Sequence, residues 1–266
     1  MRELTFEEHK QYQLGVLKDV ARFCDENGLR YYLAFGTLIG AVRHKGFIPW
    51  DDDIDIQMPR PDYEKFISEY KSDYFEVISP YNERSKHTIV KVIDTRTIKI
   101  EKAVKYTKGE ELGVDIDVFP LDGQPDDDVE FLSYYSKKRK LYKKFRFKIS
   151  DYRQYSWKGK IAYLPGFILS KSITKNAILD KVNQIVNEFD YENSKYVGTT
   201  ASLYESTKNR TLKEWYKDTI FMEFEGEKFK IPSGYHEILK KIYGDYMQLP
   251  PEEQRIAHHS NKIYLK

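Results

Sequence analysis

Cysteine is almost missing from this 266-residue chain: Cys24 stands alone, so no internal disulfide can form and a reducing, cytoplasmic setting is expected. Net charge is nearly missing as well. The 44 lysines and arginines are matched by 42 aspartates and glutamates, leaving +2 overall, and no field argues for nucleic acid as a partner. No stretch reaches the roughly 18 apolar residues that a spanning helix needs, and residues 1–10 hold no apolar run that would read as a signal peptide. Internal repeats and low-complexity linkers are also absent. What is present is a globular composition, 40% hydrophobic and 32% charged, long enough for one large domain or two small ones.

The charge that does exist is concentrated. Residues 49–56 read Pro-Trp-Asp-Asp-Asp-Ile-Asp-Ile, with Asp53 and Asp55 alternating with Ile54 and Ile56. That is the period of a half-buried strand, with isoleucines on one face and aspartates on the other. Paired carboxylates on a rigid strand repel each other unless a cation lies between them, and hard cations such as Mg²⁺ bind such oxygens together with substrate phosphates. Residues 113–120, Gly-Val-Asp-Ile-Asp-Val-Phe-Pro, repeat the pattern, placing Asp115 and Asp117 on one face of a later strand.

Around these strands the chain predicts alternating elements. Thr5 and Glu8 form a capping box for a helix carrying Leu14, Leu17, Val20, Ala21 and Cys24, which Asn27-Gly28 ends. Residues 30–35 are short and aromatic-rich, which predicts a strand; Gly36-Thr37 breaks it, and Thr37 is placed to cap a short helix stopping at Gly46. A helix follows over Tyr63, Phe66, Ile67 and Tyr70, then strands at 75–78, 88–93 and 97–100. After Asp126-Asp127-Asp128 a long helix begins, with eight lysines and arginines between Lys137 and Lys148. An apolar segment at 161–173, a helix from Ile178 to Phe189, strands at 196–200, 219–224 and 227–231, and a helix at 235–243 complete the order. The expected class is α+β, a mixed sheet flanked by helices. Residues 1–125 are expected to form the catalytic core, 126–190 a basic helical subdomain, and 191–266 a C-terminal α/β segment packed on the core.

Gly36-Thr37, Asp53, Asp55 and Asp117 together supply the parts of metal-assisted phosphoryl transfer: a helix start that attracts phosphate, and three carboxylates able to bridge two divalent ions. An acidic run is more often a solvated loop, and that reading suits Asp126-Asp127-Asp128. An EF-hand starting at Asp51 fails, because Ile56 and Asp62 stand where Gly and Glu are required. Asp115 could share or take the role of Asp117, and Asp51 and Asp52 are left for substrate contact or for shaping the entry to the strand.

Three blocks resemble the LicD family: Leu33-Ala-Phe-Gly-Thr-Leu-Ile-Gly-Ala-Val-Arg-His-Lys-Gly-Phe-Ile-Pro-Trp-Asp-Asp-Asp-Ile-Asp55, Gly113-Val-Asp-Ile-Asp-Val-Phe-Pro-Leu-Asp122, and Tyr243-Gly-Asp-Tyr-Met-Gln-Leu-Pro-Pro-Glu-Glu-Gln-Arg255 with His258. The resemblance implies a nucleotidyltransferase-like core in which Gly36-Thr37 is the glycine–hydroxyl signature, Asp53 and Asp55 the paired acids and Asp117 the third. It implies Mg²⁺ or Mn²⁺, two ions, on those three acids. Substrate contacts are expected from Gly36, Thr37, Arg43, His44, Asp52, Asp115, Arg255 and His258, although Arg43, His44 and Lys45 equally suit a helix C-terminus that favours cations.

The implied reaction moves phosphocholine from CDP-choline to a sugar hydroxyl of a teichoic acid or lipopolysaccharide type precursor, lipid-linked, and releases CMP. An aspartate is the first choice of base, ahead of His258 or His259. The 22 tyrosines would permit an aromatic cage for choline. Another CDP-linked alcohol, a nucleoside triphosphate donor and a non-catalytic binding module are the competing readings. The basic helix and the apolar segment at 161–173 suit a peripheral contact with an anionic membrane face or glycan, set against an ordinary solvated helix.

Overall fold

A computed structural model describes residues 1–100, 111–150, 152, 155–199, 207–256 and 262–266. Mixed α+β architecture is observed. The central sheet is ordered around two strands that begin on aspartates, β3 (Asp55–Pro59) and β7 (Asp115–Gln124), which run parallel at its middle. The first helix, α1 (Phe6–Glu26), begins at the expected Thr5–Glu8 capping box, with both reciprocal bonds made, and buries Leu14, Leu17, Val20 and Cys24 against the sheet. Burial pushes the Cys24 thiol up to about 12, so it behaves as a core side chain.

On one side of β3 lies β2 (Tyr32–Leu33), antiparallel. On the other side of β7 come β5 (Val90–Asp94) and β4 (Phe75–Ile78), also antiparallel. Helix α3 (Arg60–Glu69) leaves β3 directly and returns the chain across the same layer. The far end of β7 pairs with β8 (Tyr196–Thr199), which in turn pairs with β9 (Thr211–Leu212). A separate three-stranded sheet joins both ends of the chain, with β12 (Lys262–Leu265) between β1 (Arg2–Glu3) and β6 (Thr97–Ile100). A hairpin of β10 (Thr219–Phe224) and β11 (Glu227–Pro232) lies beside the second helix, α2 (Phe35–His44), where Glu225 donates its N–H to the Lys45 carbonyl.

Two sequence expectations are corrected here. The segment predicted as a strand over 30–35 is extended only at Tyr32–Leu33, because Phe35 already belongs to α2 (Phe35–His44). Thr37 therefore does not cap that helix: Ala34 stands at the N-cap without a side-chain bond, and Thr37 lies inside the first turn. Phe35 has φ 46°, the left-handed region that a bulky residue adopts only where its surroundings hold it there. The second correction concerns Asp53. The strand starts at Asp55, so Asp53 sits on the approach to β3 and only Asp55 of the pair is on it.

Residues 126–190 carry α4 (Asp128–Ile149), α5 (Trp157–Lys171) and α6 (Lys175–Val186). Asp127 caps α4 by accepting from the N–H groups of Val129 and Glu130, which is the solvated role expected of that acidic triplet. Tyr142 and Phe145 of α4 pack on Ile178, Val182 and Val186 of α6. Lys138, counted by sequence among the solvated charges, is instead buried, with its ammonium over the Tyr134 ring. Helix α7 (Tyr235–Tyr243) follows the hairpin.

Candidate active site at the head of two parallel strands

Asp55 and Asp117 are direct partners in the parallel pairing of β3 with β7. Side chains of facing residues in a sheet project to the same side, so the two carboxylates lie next to each other on one face. The neighbouring backbone fixes them there. The Asp117 N–H donates to the Ile54 carbonyl at 2.8 Å, and the Ala34 N–H donates to the Asp55 carbonyl at 2.9 Å. Thr37 supplies the remaining bond: its Oγ1 accepts the Asp55 N–H at 2.8 Å. The glycine–hydroxyl pair thus contributes a hydroxyl that positions a carboxylate.

Gly36 has an equally specific reason. A Cβ built there would stand 2.7 Å from Asp51 Oδ2, closer than real Cβ contacts come. Only glycine lets that carboxylate press against the first turn of α2, where unpaired N–H groups favour negative charge. Burial, then the negative charges of Asp53, Asp117 and Asp51, raise the Asp55 carboxyl well above its ordinary value, with Lys91 pulling the other way. Four aspartates therefore share one electrostatic site. Burial, followed by Asp55, Asp51 and Asp53, likewise raises the Tyr243 hydroxyl, which puts the end of α7 at the rim of the same cluster. Nearly half of the Tyr243 residue is exposed.

Asp115 is placed differently. Its carboxylate is buried and held by Lys91, at 2.5 Å, and by Lys99. Burial alone would raise this carboxyl, but the two ammonium groups outweigh it and hold Asp115 far below the usual carboxylate range. Lys91 also donates to Asp117, its antiparallel partner across β5 and β7. Asp115 thus faces two lysines rather than the cleft, and its role is to fix the ammonium that touches Asp117. Removing one member of such a buried set costs about 3–5 kcal/mol, because the rest remain buried without compensation. Asp115→Ala is accordingly expected to lower the thermal midpoint by roughly 10 °C or more, measured by calorimetry.

The other expected contacts gather on Trp50, one residue before the acidic run. The His44 ring meets Trp50 edge-on at 6.4 Å between centroids, and the Arg255 guanidinium lies 5.7 Å from the Trp50 ring centre. Arg43 is committed to the C-terminal block, donating to the Tyr246 carbonyl at 2.7 Å and to His44 Nε2 at 2.9 Å. Burial, then the Arg43 charge, lowers the His44 imidazole, which favours its neutral form. Arg43 and His44 lie in the last turn of α2, the helix C-terminal position that sequence weighed against phosphate contact. Arg255 also donates to the Pro250 carbonyl at 2.9 Å. Asp52 is buried beside the cluster, and His258 and His259 lie outside the described residues.

Sequence reasoning missed Lys91, Tyr243 and an aromatic pair, and gave Asp51 only a share in the strand entry or in substrate contact. Phe119 stands two residues beyond Asp117 on the same face of β7, and its ring meets that of Phe35 at 5.1 Å, near perpendicular. Tyr243 had a signal, since it opens the third quoted block; Lys91 had none without the strand register. A cavity of about 260 Å³ lies elsewhere, at the opposite end of β3 and β7, lined by Arg60, Tyr63, Pro120, Tyr142 and Val182. That cavity is a gap where α3 meets α4 and α6. Among the described residues, no three carboxylate, imidazole or thiol groups are gathered tightly enough to hold a metal ion as they stand.

Residues 28–125, which include Gly36, Thr37, Asp53, Asp55 and Asp117, match the family described as LicD/FKTN/FKRP, nucleotidyltransferase domain. Over its whole length the chain is 33% identical to the lipopolysaccharide cholinephosphotransferase LicD of Haemophilus influenzae, and the match spans all of that protein too. A shorter match, 29% identical over 114 residues, pairs 39% of this chain with 20% of the human ribitol 5-phosphate transferase FKRP. The chain belongs to the LicD family.

Proposed function

We propose that this protein transfers phosphocholine from CDP-choline to a sugar hydroxyl of a cell-surface glycan precursor and releases CMP. The observation that carries the proposal is the registered pair Asp55 and Asp117 on parallel strands, with Asp53 and Asp51 adding charge beside the first turn of α2. Full-length likeness to a lipopolysaccharide cholinephosphotransferase supports choline as the alcohol and a glycan as the acceptor. The match to a ribitol 5-phosphate transferase supports the wider class, transfer of an alcohol phosphate.

In its chemistry the donor set suits a hard divalent cation, Mg²⁺ or Mn²⁺, once its carboxylates draw closer together than they stand here. It is all oxygen, and its like charges crowd closely enough to raise Asp55. Asp53, Asp55 and Asp117 would hold the cation, which would offset charge developing on the oxygens of the transferring phosphoryl group. Asp117 must then give up its contact with Lys91, whose ammonium stays near through Asp115. Thr37 keeps Asp55 in place, and the Phe35–Phe119 pair on the same face offers ring surfaces to a quaternary ammonium. A carboxylate of the cluster accepts the proton of the acceptor hydroxyl as that oxygen bonds to phosphorus. The bond from phosphorus to the CMP oxygen breaks, and CMP leaves with the electron pair.

The test supplies the protein with Mg²⁺, a glycan acceptor, and CDP-choline, CDP-glycerol, CDP-ribitol or a nucleoside triphosphate in turn. CMP release with CDP-choline is expected; pyrophosphate release from a triphosphate would replace this reading with nucleotidyl transfer. Loss of a cation–π contact of about 2 kcal/mol corresponds to a factor of roughly 30 in affinity. Phe119→Leu is therefore expected to raise the KM for CDP-choline about 10–30-fold with little change in kcat.

A further inference from the structure

Helix α5 exposes a face that a helix in water would not carry. Trp157, Ile161, Leu164 and Ile168 follow one another at four, three and four residues, which places them on a single stripe. They are 68%, 67%, 44% and 59% exposed, respectively, and Ser170 is the one fully buried residue of the helix. The inner face is already taken. Tyr163 and Phe167 lie against Phe147 of α4, and a Cβ on Gly166 would come within 2.5 Å of that ring, so α4 and α5 touch there as closely as glycine allows. The stripe therefore points away from the protein. Lys158 falls on one flank of it, Lys160 and Lys171 on the other, and the exposed lysines of α4 continue the basic surface.

We infer that α5 docks in the plane of an anionic lipid bilayer, with the Trp157–Ile161–Leu164–Ile168 stripe set into the acyl boundary and the flanking lysines at the headgroups. No helix among the described residues is long and apolar enough to cross a membrane, so the contact is peripheral. Charge complementarity selects the occupant. A stripe of large apolar side chains between rows of lysine matches a surface that is apolar inside and anionic outside. A polyanionic glycan would use the lysines and leave tryptophan, isoleucine and leucine in water. The surface stands apart from the acidic cluster, so the inference does not rest on the reaction proposed above.

Cosedimentation of the full chain with vesicles tests this. The wild-type protein should bind vesicles of mixed phosphatidylglycerol and phosphatidylcholine more tightly than phosphatidylcholine alone. Ile161→Glu with Ile168→Glu should lower partitioning about tenfold or more while leaving the thermal midpoint and the activity on a soluble acceptor unchanged. A second variant, Lys158→Gln with Lys160→Gln and Lys171→Gln, keeps the stripe and should lose the preference for anionic vesicles. Equal sedimentation of wild type and the double glutamate variant would overturn the inference, as would a wild type that stays in the supernatant with both vesicles. A wild-type dimer in solution that the glutamate variant converts to monomer would also overturn it, by assigning the stripe to a contact between copies.

Discussion

Asp55→Asn is expected to reduce CMP release on the order of 10³-fold, the scale set by removing a preorganised electrostatic element from a transition state, and at the same time to make the metal-free protein more stable. The two effects have one cause. In the folded chain, burial and then the charges of Asp53, Asp117 and Asp51 raise the Asp55 carboxyl above its value in the unfolded chain. A group raised in this way contributes stability below its unfolded pKa and loses that contribution as pH rises through the folded value. At neutral pH without cation, burying Asp55 among like charges is therefore a cost to folding, and the neutral amide of asparagine removes it. A gain of about 1–2 kcal/mol is the usual size for relieving strain kept for function. Wild type should regain the difference with Mg²⁺: at ten times its dissociation constant a ligand adds about 1.4 kcal/mol, and the variant should show little of that shift. Calorimetry with and without Mg²⁺ reads both. A variant that is less stable than wild type without metal, yet fully active, would remove Asp55 from the centre of the site.

Thr37→Val is expected to reduce kcat about 100-fold with the fold preserved. Valine keeps the shape of threonine but cannot accept the Asp55 N–H, which donates to Thr37 Oγ1 at 2.8 Å. A buried N–H left without a partner costs about 1–3 kcal/mol, which Asp55 can recover by shifting toward another acceptor. A displacement of about 1 Å at a reacting centre costs on the order of 10² in rate. Because Thr37 acts through Asp55, the fall should appear in kcat more than in KM, and Thr37→Ser, which restores the hydroxyl, should return most of the activity. If Thr37→Val and Thr37→Ser fall equally, the methyl group rather than the hydroxyl bond is what matters at this position.

The site was legible in sequence where one strand carries the information by itself. Alternation of Asp55 with Ile54 and Ile56, and of Asp117 with Ile116 and Val118, fixes which face each acid occupies, and the structure pairs those faces directly. Pairing partners are a different kind of information. Lys91 and Lys99 lie 24 and 16 residues before Asp115, and only the register of β5, together with the approach of β6, brings both ammonium groups to one carboxylate. Alternation cannot show that Asp115 and Asp117, on the same face, share Lys91 while Asp115 alone also holds Lys99.

Helix limits were lost for a similar reason. Phe35 reads as the last aromatic of a strand, but its left-handed φ turns the chain into α2 one residue before Gly36. Phe35 packs on Phe119, a contact that strand alternation does not reveal. Asp51, like Asp52, reads in sequence as shaping the strand entry or contacting substrate, because nothing local reveals that Gly36 leaves room for its carboxylate. In the helical region the apolar run at 161–173 was visible, but whether it faces a core or open space depends on α4 filling the other side.

The central claim is that Asp53, Asp55 and Asp117 hold a divalent cation together. Mn²⁺ binding measured by electron paramagnetic resonance tests it most directly, because free and bound ions are counted without turnover. Wild type is predicted to bind Mn²⁺ saturably and to release it to excess Mg²⁺, and Asp53→Asn, Asp55→Asn and Asp117→Asn are each predicted to weaken that binding about tenfold or more. Equal Mn²⁺ binding by wild type and all three variants would contradict the account.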